Sequence, residues 1–456
     1  MQALHAPLTL PAHASSVWSR HSTRVGLQTL LLLVGLHAAL GVVLEMSAAL
    51  ATLHALGILA LGLRFASSPG RQSEAVYVCG YIASCDVLWR MTKARVFWEY
   101  SKYAVILILV LIMLQRGVRS GFARWGILYF ALLVPSSVLT IGYFGITHDL
   151  RRALSFNLSG PLALAVAVIF FSGWRGPLPD LSRLLQAMVL PVTSVFAIAA
   201  YSTLTAGSIS FGLQANFVTS GGYGPNQVSA VLGVGALMAL LLALNTPHPP
   251  LRLAYLGLAG AFQLQSLLTF SRGGTFNVLV ATLFLGIHFI QHRRARNLFV
   301  TILGTVLVVG VVLVFPRLNE WTSGMMTERF SSLDTTGRQS LAEADLALFQ
   351  QHPLIGVGPG LSQHRRTDVF RRNVAAHTEH TRLLAEHGIL GLAALLVLVL
   401  VVIQAYRLAP TTLARGWVTC LSAWAMAEMA HSAMRIVAIS FLFGLAVLPF
   451  HKRGAE

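Results

Sequence analysis

The sequence predicts an all-α integral membrane protein with about 14 transmembrane helices and one large loop that carries short helices. Three observations support this. Of 456 residues, 55% are hydrophobic and only 11% are charged, whereas an average soluble domain carries roughly 25% charged residues. The mean hydropathy is +0.69. The apolar residues are gathered into runs, and a spanning helix needs about 20 of them. Together these exclude a soluble globular protein and a disordered one. Helices fill the runs because backbone in lipid must satisfy its own hydrogen bonds.

Taken in order, residues 1–23 are polar, contain Pro7 and Pro11, and lack a signal peptide's order of charge, apolar run and cleavage site. Apolar segments follow at 26–45, 48–64, 75–89, 103–115, 125–145, 153–174, 184–203, 227–245, 253–270, 274–290, 298–315, 389–405, 413–430 and 436–450. The third is short and carries Asp86. No repeat, low-complexity tract or separate soluble domain is evident, so residues 1–456 read as a single polytopic membrane domain. Its one long interruption is a loop at 316–388, between the eleventh and twelfth segments. The cysteines, Cys79, Cys85 and Cys420, lie inside apolar runs and suggest neither a disulfide framework nor a zinc site.

The formal net charge is +17. In so apolar a chain this charge belongs to loops, so lipid headgroups and phosphates are the expected partners rather than nucleic acid. With both termini inside, the short inner connections hold Arg64 and Arg71, then Arg116, Arg119 and Arg124, and later Arg293, Arg294 and Arg296. Basic residues in short loops mark the cytoplasmic side. The outer basic residues are concentrated in the long loop and at Arg90, Lys93, Arg95 and Lys102. An anionic substrate would account for such clusters, and so would headgroup contact.

Unstructured loops longer than about 15 residues are uncommon and often functional. This loop has structure in its pattern. Residues 341–350 read as an amphipathic helix with Leu341, Ala344, Leu348 and Phe349 on one face. His352-Pro353 stops it, and a turn-rich IGVGPG stretch follows. A smaller outer loop before the eighth segment is rich in glycine, uncharged, and ends in SGGYGPNQ with Asn226.

The segment AHTEHTRLLAEHGILG (Ala376–Gly391) is the most informative. Helical spacing puts His377, His380, Thr381, Leu384 and His387 on one face. A neutral histidine there can act as a general base, or can be a hydrogen-bonded interfacial residue with no chemistry. The His377–His380 spacing does not match a zinc HExxH pattern, and no metal is expected. Arg272 lies in FSRGG, whose glycines let a backbone or ligand approach. Arg338 lies in TTGRQS, just before the loop helix. Guanidinium is planar and bidentate, which suits phosphate. Both arginines could instead make ordinary headgroup contacts. Asp86 and Arg90 are spaced to pair within a helix, and Trp89, Trp98 and Tyr100 read as an aromatic belt. That region reads as structural, with Arg90 a secondary candidate for the substrate path. Asn226, His380 and Arg382 are the other secondary candidates for binding donor or acceptor.

FSRGG, the arginine before an amphipathic helix, HPLIGVGPG and AHTEHTRLLAEHGILG occur in that order. Together they resemble the O-antigen ligase and polymerase superfamily of bacterial envelope glycosyltransferases, most strongly from about Gly221 to Gly391. The ligase pattern is His, then Asn, Ser or Gln, then nine residues, then Gly. Here Thr378 follows His377, and Gly388 closes the pattern. The ligases' later Gly-Thr-Gly is absent. Residues 221–229 and the stretch around Asp86 are more similar to exopolysaccharide-type polymerases.

The resemblance implies a GT-C-like membrane fold in the bacterial inner membrane, with the large loop and active site facing the periplasm. It implies a glycan donor on undecaprenyl diphosphate, a sugar or lipid-linked acceptor, and no metal, nucleotide or other cofactor. His377 would be the catalytic base, and Arg272 and Arg338 the diphosphate ligands. A chain-length regulator is a further candidate partner. The chemistry suits these residues. A diphosphate leaving group gains negative charge as the anomeric bond breaks, and fixed cations stabilise it. Inverting, metal-independent displacement is expected. Repeat-unit polymerisation is the leading reading, and transfer to a lipid A core is the alternative. Two other classes compete. One is a lipid-linked oligosaccharide flippase, disfavoured by the lack of a repeat between halves. The other is a peptidoglycan polymerase, for which Asp334, Asp345 and Asp368 would be candidate acids.

Overall fold

The computed structural model describes residues 26–117, 122–174, 180–290, 293–332, 337–366 and 376–450. It contains the helices α1 (Leu27–Met46), α2 (Ala48–Ser67), α3 (Gln72–Met91), α4 (Tyr100–Arg116), α5 (Ala123–Leu133), α6 (Ser137–Phe144) and α7 (His148–Ser172). Next come α8 (Leu181–Thr205), α9 (Pro225–Asn245), α10 (Pro249–Leu268), α11 (Arg272–Phe289) and α12 (Arg293–Val308). A π-helical stretch, Val309–Val314, joins α12 to α13 (Phe315–Trp321). The large loop contributes α14 (Met325–Ser331), α15 (Arg338–Gln351), α16 (Ser362–Arg365) and α17 (Glu379–His387). The chain closes with α18 (Ile389–Leu408), α19 (Thr412–Ser432) and α20 (Val437–Ala446). Among the described residues there is no strand.

A helix coincides with each apolar segment. Among the described residues, however, eight helical stretches are long and apolar enough to cross a membrane: α1, α2, α5 with α6, α7, α8, α9, α12 with α13, and α18. The expected count of about 14 therefore has length and composition behind it for eight of its members. Polar groups lower the apolarity of others, such as Asp86 in α3 and Glu428 in α19. The protein is thus an all-helical, multi-pass membrane protein.

Inside the bundle, α9 is enclosed along nearly its whole length by α8, α10 and α11. α11 packs along α19, α19 against α20, and α20 against α7. At the edges, α1, α2 and α12 leave leucines and valines such as Leu31, Leu32, Leu53 and Val306 exposed, as a lipid-facing surface requires. With no hydrophobic force between helices in lipid, small residues that permit close approach hold such a bundle. Gly274 is the clearest case. A Cβ there would lie 1.9 Å from the Ser229 carbonyl oxygen, and the Gly274 amide donates to Ser229 Oγ at 3.2 Å. The second glycine of FSRGG thus admits the α9 backbone.

The loop helices form a layer over one end of the bundle. Leu341, Ala344 and Leu348 of α15 are buried, as their spacing predicts, and Phe349 is half-buried. The HPLIGVGPG stretch is a strap around the end of α17. Val357 N donates to Ala385 O at 2.9 Å, and Gly358 N to Glu386 O at 3.0 Å. Gly356 has φ +67°, and its Cβ would lie 2.3 Å from the Glu386 carbonyl carbon, so only glycine fits. Buried Asp345 ties the layer together, pairing with Arg366 and accepting from Thr381 Oγ1 at 3.0 Å.

Candidate functional site

The C-terminal ends of α3, α10 and α19 meet the N-terminal ends of α9, α11 and α20 beneath the loop layer. At this junction lies an open cavity of about 160 Å³ whose walls include Asn226, Gln227, His377, His431, Ser432 and Arg435. Each helix end supplies polar groups where the apolar run stops.

His377 is half-buried in this wall. It precedes α17 rather than lying on it, which corrects the expected five-residue face. Thr378 is the N-cap, and its Oγ1 accepts from Thr381 N at 3.2 Å. The small polar residue after His377 thus starts the helix, a role that threonine fills well. Burial pushes the His377 imidazole down to about 4, aided by the positive charges of Arg435, Arg338 and Arg366. It is therefore neutral near pH 7, the form a base requires.

The rest of the expected face points elsewhere. His387 is buried against α6, with Nδ1 2.5 Å from Ser136 Oγ. Arg382, expected as a substrate contact, is taken by two buried carboxylates. It pairs at 2.5 Å with Glu379 and at 2.5 Å with Glu386, and also donates to the Asn157 carbonyl at 3.2 Å. A guanidinium so engaged braces α17 against α7 instead of facing a ligand. His380 is half-buried outside the cavity lining, and burial lowers its pKa.

Arg272 and Arg338 lie within electrostatic reach of one another, and neither is part of the cavity wall. Arg272 opens α11, and its Nη1 donates to Ser332 O at 2.5 Å. Arg338 opens α15, where burial, with Arg272 nearby, lowers its pKa, while Glu428 opposes the shift. Both arginines lie within electrostatic reach of His431, and Arg338 also reaches His377. Gly273 leaves space here, because a Cβ would sit 3.7 Å from the His431 Cβ. Asn226 lines the cavity and accepts from Ser271 Oγ at 2.8 Å, tying α9 to the residue before Arg272.

Arg90 acts as a brace. It pairs with Asp86 at 2.8 Å and donates to Gln227 Oε1 at 2.7 Å, the Trp98 carbonyl at 3.2 Å and the Arg435 carbonyl at 3.1 Å. Asp86 in turn accepts from Val437 N at 3.0 Å, which anchors the start of α20.

Sequence reasoning missed Glu428, His431 and Arg435. Glu428 is buried on α19 and accepts from Asn277 Nδ2. The available signal was three ionisable residues within MAEMAHSAMR, at the end of an apolar run. Ionisable groups at membrane depth are costly and are functional candidates by default. Among the described residues, no group of three or more His, Cys, Asp or Glu side chains is placed to hold a metal ion.

The fold and cavity define a multi-pass helical membrane protein with a pocket, lined by His377, His431 and Arg435, at one end of its bundle. Residues 256–396 match the family model described as O-antigen ligase, which supports assignment to the O-antigen ligase and polymerase superfamily. The match contains Arg272, Arg338, His377, His380 and Arg382, but not Arg90, Asn226, His431 or Arg435. Members of that family are glycosyltransferase-type enzymes acting on lipid-linked glycans. No curated protein matches the chain.

Proposed function

We propose that this protein transfers glycan from an undecaprenyl-diphosphate-linked donor to a sugar hydroxyl, with inversion and without a metal. In this reading it polymerises exopolysaccharide or O-antigen repeat units. The observation that carries the reading is a neutral His377 in the cavity wall, with Arg272 and Arg338 within electrostatic reach of His431 in the same wall. Neutral His377 accepts the acceptor hydroxyl proton as the oxygen attacks the anomeric carbon from the face opposite the leaving group. The bond to the lipid diphosphate breaks, and Arg272 and Arg338 stabilise the charge that develops on it. A general base typically contributes about 10²–10⁴-fold.

The reading further takes all fourteen apolar segments as spans of a GT-C-like fold in a bacterial inner membrane, with both termini cytoplasmic and the loop layer periplasmic. The basic residues of the short connections on the opposite side support that orientation. The test uses purified protein and a lipid-linked oligosaccharide. A ladder of longer lipid-linked glycans that is lost in His377→Ala supports the reading, and undiminished product from His377→Ala overturns the base. Transfer only to a lipid A core would establish ligation instead.

A further inference from the structure

Arg435 is a half-buried cation with no carboxylate partner among the described residues. It sits in the short connection between α19 and α20 and lines the same cavity as His377. Its Nη2 donates to Ala376 O at 2.9 Å, and its Nε is buried without a hydrogen-bond partner among the described residues. The charges that reach it from Arg90 and Arg338 are repulsive. Desolvating a guanidinium that has no carboxylate partner is costly, and the cost falls when an anion arrives.

The backbone leading to Arg435 is also strained. Ala433 has φ +39° and Met434 φ +49°, two consecutive non-glycine residues in the left-handed region. Such strain persists only where the surroundings enforce it, and it gathers at ligand clamps. Here the enforcement is visible. Asp86 holds both Arg90 and the Val437 amide, and Arg90 holds the Arg435 carbonyl. The two ends of the connection are thus pinned, and the guanidinium is set beside Ala376 before any ligand binds.

We propose that Arg435 is an anion-binding residue of this cavity. Its unpaired donors take a phosphate oxygen of the lipid-linked donor, while its bond to Ala376 seats His377 beside that phosphate. This rests on the donor proposed above. The planar fork lets one side chain serve both partners, which an ammonium group cannot do. Arg435 also supplies the largest electrostatic push keeping His377 neutral.

The test measures the affinity of undecaprenyl diphosphate for full-length protein in lipid nanodiscs, at low and high salt. Wild type should bind. Arg435→Gln should weaken binding roughly tenfold or more and flatten its salt dependence. Arg435→Lys, which carries the test if the glutamine variant does not stay monodisperse, should fall between the two. Affinity within about twofold of wild type in either variant overturns the proposal. Failure of wild type to bind at all would instead overturn the donor. In turnover assays, Arg435→Gln should move the acid limb of kcat/KM to higher pH, which a folding defect alone would not do. An unmoved limb in an active variant overturns the seating of His377.

Discussion

Acidification separates a buried base from an ordinary histidine. His377 titrates near 4 because it is desolvated and faces Arg435, Arg338 and Arg366. Protonation would remove the proposed base, so activity should fall only as pH drops through that value, and it should be flat above it. Between about pH 7 and about pH 5.5, an imidazole of ordinary pKa near 6.5 would lose about eightfold of its neutral form, while one near 4 would lose about 3%. The donor's diphosphate is a diester and does not titrate in that window. The assay is kcat/KM for glycan extension in nanodiscs from about pH 7 down to about pH 3.5, with thermal unfolding followed in parallel. A midpoint near 6.5, with the fold intact, would refute the cavity electrostatics argued here. His377→Ala should lower the plateau by about 10²–10⁴-fold and abolish the limb near 4.

Arg382→Met should leave Glu379 and Glu386 buried without their cation and destabilise the protein by about 3–5 kcal/mol, read as a lower unfolding midpoint. Adding Glu379→Gln and Glu386→Gln should recover much of the loss, and full stability in the single variant would contradict the bracing role. Thr378→Ala should lower stability by about 0.5–2 kcal/mol through loss of the α17 N-cap, whereas Thr378→Asn should keep it. Gly274→Ala should impair folding, seen as low monodisperse yield, because its Cβ would collide with the Ser229 carbonyl at 1.9 Å. Gly273→Ala should fold, because its nearest neighbour is at 3.7 Å.

Much of the helical layout was legible because hydropathy is a local property, written residue by residue. Apolar runs and the spacing of Leu341, Ala344 and Leu348 need no knowledge of distant neighbours. Arg272, Arg338 and His377 stood out as candidates through residue type and motif. Their separation along the chain left their meeting in space undetermined.

The fate of each charge depended on tertiary contacts. His387 and Arg382 share a short segment with His377, yet one is buried on Ser136 and the other held by two glutamates. Arg90 meets Gln227 from 137 positions away, and Arg435 meets Ala376 from 59. The sequence alone determined that the chain is helical, membrane-embedded and basic in its loops, because burying apolar surface and satisfying backbone groups in lipid leave few alternatives. Only the tertiary structure decided which cations are neutralised and which line a cavity unpaired, because that depends on the distance between charges brought together by packing.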